Sequence, residues 1–135
     1  MAPHPFAKVS HTSFSVSDAA ASTEFWRRAL GFEDLEAVQG EGWHGMVMLH
    51  PPTGTVLEVQ QHDANRGERF DPVRTGFDHL GFMVSDPAEL DGWQDHFAEL
   101  GVDFTPTVHR EYGSVLTFRD PDGLQFEMFY RQGHP

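Results

Sequence analysis

The sequence predicts an α+β fold: two βαβββ modules in tandem, with curved mixed sheets around a concave cup. Three observations predict it. The segment HTSFSVSD, His11 to Asp18, returns as HLGFMVSD, His79 to Asp86. A second pair, TGTVLEVQ with Glu58 and DGLQFEMF with Glu127, returns at nearly the same offset: 79 − 11 = 68 for the histidines and 127 − 58 = 69 for the glutamates. Within each repeat the hydrophobic period runs from two to helical and back to two. A repeat of this length decides the architecture before any single residue does.

The elements follow in order. Residues 8–17 alternate as a strand should, with His11, Ser13, Ser15 and Ser17 on one face and Thr12, Phe14 and Val16 on the other. Asp18 offers an N-cap to a helix reaching about Leu30, with Phe25, Ala29 and Leu30 as packing residues and Gly31 as the stop. Strands are expected near 32–38, 44–50 and 55–62, the last two joined by Pro51-Pro52-Thr53-Gly54. The second module repeats this order. A strand spans 78–85, with His79, Gly81, Met83 and Ser85 on one face. Asp86-Pro87-Ala88-Glu89 reads as N-cap, N1 proline and N3 glutamate of a helix whose Leu90, Trp93, Phe97 and Leu100 share a face, closed by Gly101. Strands near 102–108, 113–119 and 123–130 complete it, with Asp120-Pro121-Asp122-Gly123 turning the last hairpin. The chain, 1–135, is thus expected to be one domain: module 1 over about 8–62, a polar linker over 63–76 and module 2 over about 77–131.

Composition narrows the function. A formal net charge of −12 opposes binding to a phosphate backbone, which requires clustered Lys and Arg, so no nucleic-acid partner is expected. With no cysteine, disulfide and thiolate chemistry are excluded. No apolar run reaches the length of a membrane span and MAPHPFAK lacks a signal-peptide core, so a cytoplasmic protein without membrane contact is expected.

Period two also decides where the repeated acid and imidazole groups point. Glu58 shares its strand face with Val56, Gln60 and His62; Glu127 shares its face with Gln125, Phe129 and Arg131. The large apolar neighbours Leu57, Val59, Phe126 and Met128 take the other face and should pack on the module's helix. One histidine on a strand is usually a satisfied polar residue. Two His and two Glu matched in type, face and offset fit a divalent metal centre, with His11, Glu58, His79 and Glu127 as ligands to Ni, Zn, Co, Mn or Fe. A shared cation also removes the penalty of a sequestered carboxylate.

These motifs resemble the vicinal oxygen chelate superfamily, which includes glyoxalase I, extradiol dioxygenases, methylmalonyl-CoA epimerase, fosfomycin-resistance proteins and bleomycin-binding proteins. The resemblance rests on HTSFSVSD, FWRRALGF, LEVQQH, FDHLGFMVSD and VLTFRDPDGLQFEMF, and spans His11 to Tyr130. The His/Glu/His/Glu order is most similar to bacterial glyoxalase I. It implies a metal cup in which the cation polarises adjacent substrate oxygens. In that scheme Glu127 moves a proton between neighbouring carbons, and Glu58 can take the opposite role. The resemblance also implies a homodimer.

The substrate side departs from the glutathione-using pattern. Ser15 stands where those relatives carry Arg, His62 replaces an Asn, and HREYGS lacks their basic pair although Arg110 remains. Glutathione hemithioacetal is therefore not the expected substrate. Lining residues expected from module 1 are Ser13, Ser15, Trp43, His44, Gln60 and His62; from module 2 they are Met83, Tyr112, Gln125, Phe129 and Arg131. That mixture suits a small aromatic or polyketide-like substrate. A metal-dependent lyase or isomerase working through an enolate-type intermediate is the leading expectation. An extradiol-type dioxygenase and a protein that sequesters a toxic aromatic natural product are the alternatives. His4, His96, His109 and His134 read as solvated or loop residues, and Trp26 and Trp93 as core.

Overall fold

The computed structural model describes residues 2–134. The chain divides into two compact units, Met1–Gly67 and Glu68–Pro135. The first contains β1 (Thr12–Ser15), α1 (Ala19–Leu30), β2 (Glu33–Gly40), β3 (Trp43–His50) and β4 (Thr55–His62). The second contains β5 (Leu80–Met83), α2 (Glu89–Leu100), β6 (Asp103–Arg110), β7 (Gly113–Arg119) and β8 (Gln125–Tyr130). Both are βαβββ, and the class is the α+β arrangement that the repeat predicts.

The sheet orders match as well. They are β1-β4-β3-β2 and β5-β8-β7-β6. In each the first strand runs parallel to the last, and the remaining pairs are antiparallel. The parallel strands are shorter than the alternation suggests. β1 contracts from 8–17 to four residues because only Thr12–Ser15 meet partners, Leu57 to Gln60. β5 contracts likewise to the stretch facing Phe126 to Phe129.

Helix α1 lies against β2, β3 and β4. The Asp18 carboxylate accepts from the Ala21 amide at 3.1 Å, and Gly31 ends the helix at φ 77°, a conformation glycine adopts without strain. Gln61 also receives the Ala19 amide at 2.8 Å, tying the helix start to β4. Trp26, not Phe25, is the centre of this core: it is fully buried, stacked on Phe14 at 6.1 Å and edge-on to Phe32 at 5.3 Å. Burial of an indole this size contributes about 3–5 kcal/mol relative to alanine.

Helix α2 lies against β6 and β7. It begins later than the Asp86 cap implies. Pro87 and Ala88 lie in a tight turn in which Asp86 Oδ1 takes the Ala88 amide at 2.8 Å, and Glu89 Oε2 reaches back to the Ser85 amide at 3.1 Å. Leu90 and Phe97 are fully buried, and Phe97, Phe118 and Phe126 form a chain of rings 4.6 and 5.6 Å apart. Trp93 is not core. It is half-buried at the flank, edge-on to His96 at 5.8 Å, and lines a shallow open groove with Glu89 and Gly92.

Part of the polar stretch 63–76 is anchored in the second unit. Arg69 donates to the Pro121 carbonyl at 2.7 Å and the Phe70 amide to the Asp122 carbonyl at 3.0 Å. Both contacts cap the turn between β7 and β8. The Phe70 ring meets Phe77 at 5.9 Å, and Phe77 meets Phe126 at 6.1 Å.

Candidate functional site

The repeated residues sit at equivalent register positions. Ser13 pairs with Glu58 across β1 and β4, and Gly81 pairs with Glu127 across β5 and β8. Each histidine lies two residues before the partner of the glutamate, so His11 with Glu58 and His79 with Glu127 share a face. It is the face away from the helix. Leu57, Val59, Phe126 and Met128 are buried on the helix side, whereas Ser13, Ser15, Gly81 and Met83 are exposed.

In the second unit His79 Nε2 stands 3.6 Å from Glu127 Oε2. Two ligand atoms each about 2.0–2.2 Å from one tetrahedral ion lie roughly 3.3–3.6 Å apart, so this pair is spaced to flank a cation. In the first unit Glu58 Oε1 accepts from Gln60 Nε2 at 2.7 Å, and His11 Nδ1 meets Ser10 Oγ at 3.0 Å. Among the described residues, no three or more His, Asp or Glu side chains come together as a preformed cage. The second unit thus holds its two donors at cation-flanking spacing and the first places His11 and Glu58 on one face; imidazole and carboxylate donors fit a borderline divalent ion.

The neighbouring positions sort by face. In the first unit Trp43, Gly45 and Val47 of β3 stand beside His62, Gln60 and Glu58. The indole of Trp43 lies against Gly40, where a Cβ would run into it. His44 pairs with Gln61 and takes the opposite face of β3, away from Trp43 and Glu58. In the second unit Val115 pairs with Phe129, Thr117 with Glu127 and Arg119 with Gln125. The Phe129 ring lies close over Gly113 and 6.3 Å from Tyr112. Met83 is 63% exposed and pairs with Phe129. This face therefore has an apolar end at Met83, Val115, Phe129 and Tyr112 and a polar end at Gln125 and Arg119. Gln125 is already engaged, donating to the Asp78 carbonyl at 3.2 Å. Arg131 is exposed just beyond β8.

Sequence reasoning passed over the residues that precede the two histidines. Asp78 Oδ1 contacts His79 Nδ1 at 2.7 Å, as Ser10 contacts His11. The signal was there in the dipeptides SH and DH.

The match that decides the family covers residues 8–128, nearly all of both repeats, and is described as glyoxalase/bleomycin resistance protein/dioxygenase superfamily. The chain belongs to that superfamily. Within it, the chain is 30% identical over 101 residues to the putative ring-cleaving dioxygenase MhqA of Bacillus subtilis (strain 168). That alignment takes in 73% of the chain but 32% of MhqA, so the chain spans about a third of that relative's length. Among solved structures, a superfamily domain from Frankia sp. EAN1pec superposes with a TM-score of 0.88 at 30% identity, covering 95% of this chain and all of that one. The fosfomycin resistance protein FosX from Listeria monocytogenes shares the superfamily fold at a TM-score of 0.73 and 21% identity, over 96% of both chains. A FosX structure from the same organism, at 20% identity, is complexed with Mn(II) and sulfate. Among the described residues, no helix is long and apolar enough to cross a membrane.

Proposed function

We propose that the chain is a divalent-metal-dependent lyase or isomerase of the glyoxalase type, with His11, Glu58, His79 and Glu127 as the ligands. The observation that carries the reading is the shared register: Ser13 opposite Glu58 and Gly81 opposite Glu127, each with a histidine two residues upstream. Two unrelated strands would not repeat type, face and register together. When bound, the metal would supply Lewis-acid polarisation of adjacent substrate oxygens. Ni, Zn, Co, Mn and Fe all suit a mixed imidazole and carboxylate set.

The side chains then divide the work. Glu127 accepts a proton from the substrate carbon; its carboxylate stands 3.6 Å from the imidazole of His79, at the edge of the cation position. Glu58 takes the opposite role and is steadied by Gln60 at 2.7 Å. Met83, Phe129 and Tyr112 seat an apolar or aromatic body beside the reacting oxygens, while Ser13, Ser15, Trp43 and His62 line the first module's face. Ser15 and His62 in place of basic and amide groups speak against glutathione hemithioacetal as substrate. The protein works as a homodimer in the cytoplasm on this reading.

Titration of metal-stripped protein with Mn(II), Ni(II), Zn(II) and Fe(II) tests it. Stoichiometric binding lost in His79→Ala and Glu127→Gln is the expected result; no binding to any of these ions by the intact protein sinks the reading. Solvent-deuterium incorporation into candidate substrates then reads the proton transfer. Light scattering checks the dimer.

A second reading, an Fe(II) ring-cleaving dioxygenase, is favoured by the 30% identity to MhqA and by the aromatic end of the site. Oxygen consumption with catechols and hydroquinones under ferrous conditions distinguishes it. Tight ligand binding without turnover that survives Glu127→Gln would instead indicate sequestration.

A further inference from the structure

We propose that Asp78 is a positioning residue that fixes His79 as its Nδ1–H tautomer and so turns the Nε2 lone pair toward Glu127. The inference rests on the reading of His79 as a metal ligand, and it adds a residue which that reading does not include.

The geometry carries it in three steps. Asp78 Oδ1 lies 2.7 Å from His79 Nδ1. An ionised carboxylate only accepts, so the proton on this contact belongs to Nδ1, and in the neutral or metal-bound imidazole Nε2 is then the nitrogen that carries the lone pair. That free nitrogen is the one 3.6 Å from Glu127 Oε2. Second, the segment bearing Asp78 is itself held in place. Gln125, two residues before Glu127 on the same face of β8, donates to the Asp78 carbonyl at 3.2 Å. The strand that presents Glu127 therefore also anchors the residue that orients His79. Third, the same place in the first repeat has a like contact of different chemistry. Ser10 Oγ lies 3.0 Å from His11 Nδ1, and a hydroxyl can donate or accept. Ser10 steadies the ring of His11 without choosing its tautomer.

The bland alternative is a chance contact between sequence neighbours. Asp78 and His79 have side chains 66% and 46% exposed, and so open a pair adds little to stability. Its recurrence at the equivalent place in both repeats, and the Gln125 anchor behind one of them, fit a role in orientation. Carboxylate partners of ligating histidines commonly fix the tautomer and strengthen the donor; losing one typically weakens metal binding about 10–100-fold. The two repeats thus contribute unequal imidazoles: His79 prepared by a carboxylate, His11 supported by a hydroxyl.

The test uses the full chain and begins without metal. Side-chain ¹⁵N NMR of the neutral imidazoles should show His79 as the Nδ1–H tautomer in the intact protein. Asp78→Ala and Asp78→Ser should shift it toward Nε2–H, while Asp78→Asn, whose amide oxygen still accepts, should largely restore the original state. Mn(II) and Zn(II) titration should show Asp78→Ser weakening binding about 10–100-fold, and Ser10→Ala weakening it less. An unchanged His79 tautomer in folded Asp78→Ala overturns the proposal. So does unchanged metal affinity in that variant. If the intact protein binds no metal, the proposed function falls, and the tautomer measurement alone decides the role of Asp78.

Discussion

His79 Nε2 lies 3.6 Å from Glu127 Oε2, whereas the matching carboxylate, Glu58, is bridged to Gln60 at 2.7 Å. The two glutamates occupy equivalent register positions but have different company. A carboxylate clamped by an amide is held still; one facing an imidazole across a metal-sized gap can release and accept a proton. On the proposed reading this difference suits Glu127 to the role of mobile base and leaves Glu58, steadied by Gln60, for the opposite role.

Glu127→Gln should therefore lose about 10²–10⁴-fold in turnover, the usual contribution of a positioned acid or base. Gln60→Ala should cost far less, because it frees Glu58 without removing it. Steady-state kinetics of both variants, with circular dichroism as the check on folding, compare them. Equal losses would contradict the assignment.

The apolar end of the second sheet predicts a different kinetic pattern. Phe129 pairs with Met83 and Val115, and its ring lies 6.3 Å from that of Tyr112. On the proposed reading these groups meet the body of a substrate rather than its reacting atoms. Phe129→Ala should raise KM with kcat largely kept, the signature of lost uniform binding. It should do so more for aromatic substrates than for small aliphatic ones. A loss confined to kcat would place Phe129 in the chemistry instead.

How much of this was legible beforehand follows from the periods involved. Strand alternation placed Glu58 and Glu127 on the correct faces because both lie inside strands whose other face is buried. It failed for His44, which the sequence grouped with Trp43 although adjacent strand residues point apart. The lengths of β1 and β5 were misjudged because alternation continues past the point where a parallel partner exists. Trp93 fell at helical spacing from Leu90 and Phe97, yet it sits at the edge of the α2 contact, where the sheet no longer covers it. Asp78 and Gln125 were invisible as a unit: they are 47 residues apart and meet through a backbone carbonyl.

Gly45 offers a stability test beside the site. A Cβ there would drive into the carbonyl oxygen of Val59 on β4, where backbone has no room to yield. Gly45→Ala should destabilise the first unit by about 1–3 kcal/mol, the range for overpacking a fitted position. Because Gly45 pairs with Gln60, metal affinity should fall with it. Gly92, inside α2 with nothing within 4 Å of an added Cβ, is the contrast. Gly92→Ala should stabilise by up to about 1 kcal/mol through helix propensity. Urea denaturation of the two variants measures both signs.

Asp120 makes stability depend on pH. Its side chain is buried, Oδ1 accepts the Asp122 and Leu124 amides at 2.9 and 2.8 Å, and Oδ2 is enclosed without a hydrogen-bond partner among the described residues. Burial pushes its carboxyl up to about 7; the two amides and the Arg69 charge oppose that rise, and the Asp122 charge adds to it. The sign follows from which form the fold prefers. A raised carboxyl favours the folded state in its protonated form, so its contribution is complete below the unfolded value near 3.8 and is lost as pH climbs through about 7. The full span is on the order of 4 kcal/mol at 1.36 kcal/mol per unit. Other carboxylates and nine histidines also titrate, so the informative quantity is a difference between proteins. Asp120→Asn keeps an acceptor for the two amides and removes the ionisation. Unfolding free energies at pH 5 and pH 8 should therefore diverge more for the natural chain than for Asp120→Asn. Identical pH dependence in the two would show that Asp120 ionises within the fold without penalty.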